Sequence, residues 1–179
     1  MADEIPDSLK AARESLLLGV RLSKQGSYAR RAPNPDSLPY FAQAHDLLAE
    51  LLNEQPDHRE ALVMMSQISE CLMDFSAALS FLARAFDAGE PKSKKLLKRL
   101  ALLRENATAW RDLGLTPEML GMLGNHLEAE GVGPAHETLQ LTRDWLTANH
   151  IGDPEIVVAA LERRGAFSDF QVLANVVYG

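Results

Sequence analysis

The chain has 179 residues, 46% of them apolar and 24% charged, with 25 Asp and Glu against 18 Lys and Arg for a formal charge of −7. This is the composition of a soluble globular protein with room for one or two domains, and its acidic balance argues against nucleic acid or an anionic membrane surface as the main partner. The longest apolar run, Ile156 to Leu161, is six residues, too short for a signal peptide or a membrane span; the single cysteine, Cys71, forms no internal disulfide, so the chain reads as cytoplasmic.

Apolar spacing is helical nearly throughout, without two-residue alternation bounded by hairpin turns, which predicts an all-α fold. A first helix is expected from about Ser8 to Gly26, with Asp7 as N-cap and Leu9, Ala12, Leu16, Val20 and Leu22 on its apolar positions. Residues 27–39 form a proline-rich loop, since Pro33, Pro35 and Pro39 each remove a backbone donor. A second helix, Tyr40 to Glu54, ends at Pro56-Asp57. Asp57 with Glu60 resembles a capping box that starts the third helix, His58 to Met73. A turn at Asp74 leads into the fourth, Phe75 to Ala88, and Gly89 suits a left-handed C-cap. Pro91 opens the fifth, Lys92 to Glu105.

A boundary is expected between Asn106 and Leu115, dividing the chain into residues 1–106 and a small helical domain, 107–179. In the second part Thr116-Pro117, Gly133-Pro134 and Asp153-Pro154 introduce helices over Glu118 to Glu130, Ala135 to Ala148 and Glu155 to Arg164. Ser168 with Gln171 forms a capping box for a last helix ending near Tyr178.

An internal period appears in Ala44, Leu48, Leu51 and Pro56 and again in Ala78, Leu82 and Ala85, with equivalent positions 34 residues apart. Spacing and residue types resemble the tetratricopeptide repeat, a helix-turn-helix unit with a small residue where its two helices cross. The best unit is Arg59 to Pro91, with Leu62, Met65 and Ser66 in the first helix and Ala78, Leu82 and Ala85 in the second. Leu18-Gly19 supplies the large-small pair of an earlier unit, lengthened by the proline loop, and Ser93 to Arg104 supplies a third first-helix through Leu97, Leu100 and Ala101.

The resemblance implies a short α-α superhelix whose first helices line a concave groove for a protein or peptide partner. Its lining by position is Arg13, Leu16 and Val20 in the first unit, Glu60, Val63, Gln67 and Glu70 in the second, and Lys95, Lys98, Arg99 and Leu102 in the third. Lys95 and Arg99 match the two basic positions with which chaperone-binding relatives grip a peptide carboxylate, whereas Leu16, Val20 and Met64 depart from the rest of that clamp.

The segment from Thr138 to Leu146 (TLQLTRDWL), followed by Gly165 to Val176, resembles a bacterial C-terminal domain family of uncharacterised function. Its members carry a cysteine shortly before a Thr-Leu pair and later a Cys-Asp-Cys-Glu-Val stretch, which suggests a metal or redox site in the family. Here Ala135, Ser168 and Phe170 stand at the cysteine positions and Gln171 replaces the acid, so thiolate ligation is lost.

No other motif carries chemistry. The five histidines lack ligand spacing along a helix, and no Gly-rich phosphate loop, nucleophile elbow or HExxH run occurs, so no cofactor, no metal and no catalytic residue is expected. Cys71 reads as a small buried hydrophobe. Residues 91–104 carry Lys92, Lys94, Lys95, Lys98, Arg99 and Arg104 without an acid, a charge of +6 that leaves −13 on the remainder. That helix reads either as a solvated face that neutralises neighbouring acidic helices or as a surface for an anion or an acidic partner. The expected function is a non-enzymatic adaptor or scaffold of bacterial type. Alternatives are a secretion-type chaperone and an enzyme or metal-dependent domain in the C-terminal half.

Overall fold

The computed structural model describes residues 6–25 and 33–178, and these contain helices and connecting turns without a strand. The fold is all-α. Among the described residues no helix is long and apolar enough to cross a membrane.

α1 spans Asp7–Ser23. Pro6, not Asp7, is its N-cap, and no side chain caps it; Asp7 lies inside the first turn, where its charge complements the helix dipole. The helix ends earlier than expected, at Lys24, which adopts a left-handed φ of 55°. Of the predicted loop at 27–39, residues 27–32 lie outside the described residues. Its last part is ordered as a 3₁₀ turn, Pro35–Ser37, in which the Asn34 side chain accepts from the Asp36 amide. α2 follows at Leu38–Glu54, two residues earlier than predicted, because Pro39 falls in the first turn, where a missing amide donor breaks no helical bond.

α3 covers Arg59–Cys71 and α4 Phe75–Asp87. The expected Asp57 capping box does not form. His58 is the N-cap instead, its ring Nδ1 accepting from the Ala61 amide at 3.3 Å, while Glu60 is drawn into an ion pair. Asp74 caps α4 through the Ala77 amide at 2.9 Å. At the end of α4, Gly89 takes a φ of 91° and the Glu90 amide reaches back to the Ala85 carbonyl, a Schellman closure.

α5 runs from Lys94 to Leu113, well beyond its predicted end at Glu105. Nothing between Asn106 and Leu113 breaks a helix, and termination waits for Gly114 at φ 69°. The described residues divide into two compact units inside this helix, residues 6–25 with 33–107, and residues 108–178.

In the first unit α1 packs on α2 and α3, α2 on α3, and α3 on α4. Leu9, Ala12 and Leu16 of α1 join Phe41, Ala44, Leu48 and Leu51 of α2 and Ala61, Met64, Met65 and Ile68 of α3 in one core. Positions 34 residues apart are buried alike: Ala44 with Ala78, Leu48 with Leu82, Leu51 with Ala85, and also Phe41 with Phe75. Small residues mark the crossings. A Cβ on Gly19 would stand 2.8 Å from Phe41 Cε1, and Ser66 Oγ donates to the Ala78 carbonyl at 2.8 Å, contacts that larger side chains would prevent.

The second unit contains α6 (Pro117–Ala129), α7 (Gln140–Ala148), α8 (Pro154–Arg163) and α9 (Asp169–Val172), the last continuing as a π turn over Leu173–Val177. Thr116 and Asp153 cap α6 and α8, and Ser168 caps α9 with Gln171 bonding the Phe167 amide. α7 begins five residues later than predicted. A turn closed between Gly133 and His136 occupies the expected first turn, and the helix starts where the Asp169 carboxylate takes up the amides of Leu141 and Thr142 at 3.1 and 2.9 Å. Asp169 also accepts from Thr142 Oγ1 at 2.6 Å and its amide donates to the Thr138 carbonyl, so the buried acid ties α9 to the start of α7.

Candidate functional site

The centre of the expected groove is α3. Its 3.6-residue period places Glu60, Val63, Gln67 and Glu70 on one face, and all four side chains remain partly exposed beside a fully packed opposite face. The stripe is bounded at both ends by ion pairs to other helices. Arg13 of α1 pairs with Glu60. At the other end Arg99 of α5 donates through Nε to Glu70 Oε2 at 2.6 Å and through Nη2 to Ser66 Oγ at 3.3 Å. Because Ser66 in turn bonds the Ala78 carbonyl, α3, α4 and α5 are linked through one polar chain.

This arrangement corrects two expectations. Arg99 is committed to Glu70 and Ser66, with its side chain only 16% exposed, and therefore braces the fold instead of standing open for a peptide carboxylate. Leu16 is 3% exposed and belongs to the core between α1, α2 and α3; it offers no surface to a partner. Val20 is packed against the same core and partly exposed. Lys95 and Lys98 are exposed on α5, one turn or less from Arg99, and Leu102 is half-buried.

At the N-terminal end of the α3 stripe lies an open cleft of about 920 Å³, lined among others by Pro6, Asp57, Arg59, Glu60, Val63 and Glu90. Arg59 donates to the Gly89 carbonyl, and the carboxylates of Asp57, Glu60 and Glu90 outnumber it in the lining. The groove face thus combines an acidic mouth, an apolar and amide floor at Val63 and Gln67, and cations on α5. Sequence spacing located the stripe but missed Ser66 as the hub of the polar chain, because its small size signals only a helix crossing.

Cys71 ends α3 four residues after Gln67 and is partly buried against the core. Burial first, and then the neighbouring Glu70 carboxylate, push its thiol up to about 11 from an ordinary value of 9.0, against a smaller lowering by Arg99. At mildly alkaline pH the folded chain should hold about a hundredfold less thiolate than the unfolded chain, and iodoacetamide labelling with and without urea measures the ratio. Equal rates would show that Cys71 is not held as the thiol. Since the folded value is raised, the thiol favours the fold at pH below 9, and that contribution is lost as pH rises towards 11.

In the second unit Ala135, Ser168 and Phe170, which the sequence resemblance sets at cysteine positions, are not brought together as a site. Ser168 is buried and caps α9, while Ala135 and Phe170 are exposed. Among the described residues no three His, Cys, Asp or Glu side chains are grouped as a metal ion would need. His58 and His136 are used by backbone amides. Compared with protein-family models, curated proteins and solved structures, the chain finds no match in any of the three.

Proposed function

We propose that the first unit is a tetratricopeptide-type adaptor that holds a segment of a partner protein against the exposed face of α3, and that the protein acts without catalysis as a cytoplasmic scaffold. The observation that carries this reading is the α3 stripe itself. It is a line of partly exposed side chains framed by the Arg13–Glu60 and Glu70–Arg99 pairs and opening into a cleft of about 920 Å³. Two paired helices with equivalent buried residues 34 apart support the repeat assignment. A rigid face with an apolar centre and charged borders suits an extended or helical segment. Carboxylates of that segment would meet Lys95 and Lys98, and a basic residue would meet Asp57 and Glu90.

The test is pull-down from the native host, identification of the partner by mass spectrometry, and binding kinetics on the immobilised partner at low and high salt. Val63→Asp places a charge in the apolar centre and is expected to weaken the complex about tenfold or more, with little relief from salt. Lys95→Glu with Lys98→Glu should mainly slow association, and that effect should shrink at high salt. Parent-like binding of both variants at both salt concentrations would remove the groove as the binding surface.

A further inference from the structure

The opposite side of α5 carries a second surface. Between α4 and α5 lies a crevice of about 220 Å³ lined by Phe86, Asp87, Lys92, Leu97, Leu100 and Arg104 together with Ala83. Leu97 is 44% exposed, and the Lys92 ammonium stands 5.8 Å above the Phe86 ring centroid. At about 100° per residue, Leu97, Leu100 and Arg104 point roughly half a turn away from Lys95, Lys98 and Leu102. The crevice is therefore separate from the α3 groove.

We propose that it is a docking site for an amphipathic helix of a partner protein, one with leucine-type side chains on one face and carboxylates along their border. The shape favours a helix, because two neighbouring helices expose parallel ridges and a third helix seats its own ridge between them. In the repeat scheme α1 with α2 and α3 with α4 form paired helices, and α5 takes the place of another first helix, so this is the side on which a pairing helix would lie. Anchors recurring at three- and four-residue spacing would enter beside Phe86, Leu97 and Leu100. Charge selects the partner: Lys92 and Arg104 outnumber Asp87 in the lining, and the surrounding segment 91–104 is +6 in a chain that is otherwise −13. An acidic helix is repelled by most of this protein and attracted here.

Two synthetic helical peptides test the proposal on the full chain, both with the same leucine stripe, one bordered by Glu and the other by Lys, titrated by fluorescence anisotropy. The Glu-bordered peptide should bind about tenfold or more tightly than the Lys-bordered one. Leu97→Asp should weaken it about tenfold or more, and Arg104→Glu should shrink or invert the preference between the peptides. Both positions are exposed, so both variants should keep the parent circular dichroism spectrum. Leu17→Asp, a matched exposed leucine on α1, should bind as the parent does. Equal affinity for the two peptides, or full binding by a folded Leu97→Asp variant, would overturn the proposal. So would self-association of the parent, seen by sedimentation and abolished by Leu97→Asp, since the crevice would then belong to a second copy of the chain.

Discussion

Replacing Ala78 by Phe should lower the stability of the first unit by about 1–3 kcal/mol or more, a fall in thermal midpoint on the order of 5–15 °C for a unit of this size. Ala78 is 0% exposed, and its carbonyl receives the Ser66 hydroxyl at 2.8 Å, so the backbones of α3 and α4 approach closely at this point. A phenyl ring there must separate the helices, and the separation reaches Arg99, whose guanidinium rests on Ser66 and Glu70. The damage should extend beyond one contact. Ser80→Phe, on an exposed position of the same helix, adds the same ring without the crossing and should leave the midpoint nearly unchanged. Equal midpoints for parent and Ala78→Phe would rule out the close crossing and with it the repeat register.

Asp169→Ala should cost the second unit about 2–4 kcal/mol, because the carboxylate is 2% exposed and three donors depend on it. Without it the Leu141 and Thr142 amides at the start of α7 lose their acceptor, and the Thr142 hydroxyl, itself on a buried side chain, is left unpaired. Asp169→Asn is the informative companion. Its amide keeps one acceptor oxygen but turns a donor towards groups that are themselves donors, so it should recover only part of the loss. Hydrogen exchange at Leu141 and Thr142 checks the assignment: both amides should exchange faster in the alanine variant while those of α1 and α2 stay protected. Parent-like protection at both sites would show that the cap does not hold α7.

The π turn after α9 packs tightly on α6. A Cβ on Gly124 of α6 would lie 2.8 Å from Val177 Cγ1, so the C-terminal turn is pressed against a position in that helix that has no side chain. Gly124→Ala should therefore destabilise the second unit, whereas Gly121→Ala, with nothing within 4 Å of its added carbon, should not. Gly121 and Gly124 look alike in the sequence, and only the position of Val177 separates them.

What the sequence determined by itself is local. Helical periodicity established the all-α class, and proline, glycine or short polar capping residues located most helix ends, as at Thr116-Pro117, Asp153-Pro154, Asp74 and Gly89. These signals act within one or two turns, where hydrogen-bond partners are the chain's own near neighbours. The 34-residue period was also legible, because equivalent helices bury equivalent residues, although Phe41 with Phe75 could have been added to it by the same spacing. Tertiary structure decided the rest. His58 replaced Asp57 as the cap of α3 while Glu60 was claimed by Arg13; α7 starts at Gln140 because Asp169 reaches it from 27 residues away; Arg99 became a brace because packing brings it to Glu70, 29 residues earlier. Each of these outcomes depends on which helices pack together, and a charged side chain taken out of water binds whatever complementary group that packing supplies, a choice that no local spacing encodes.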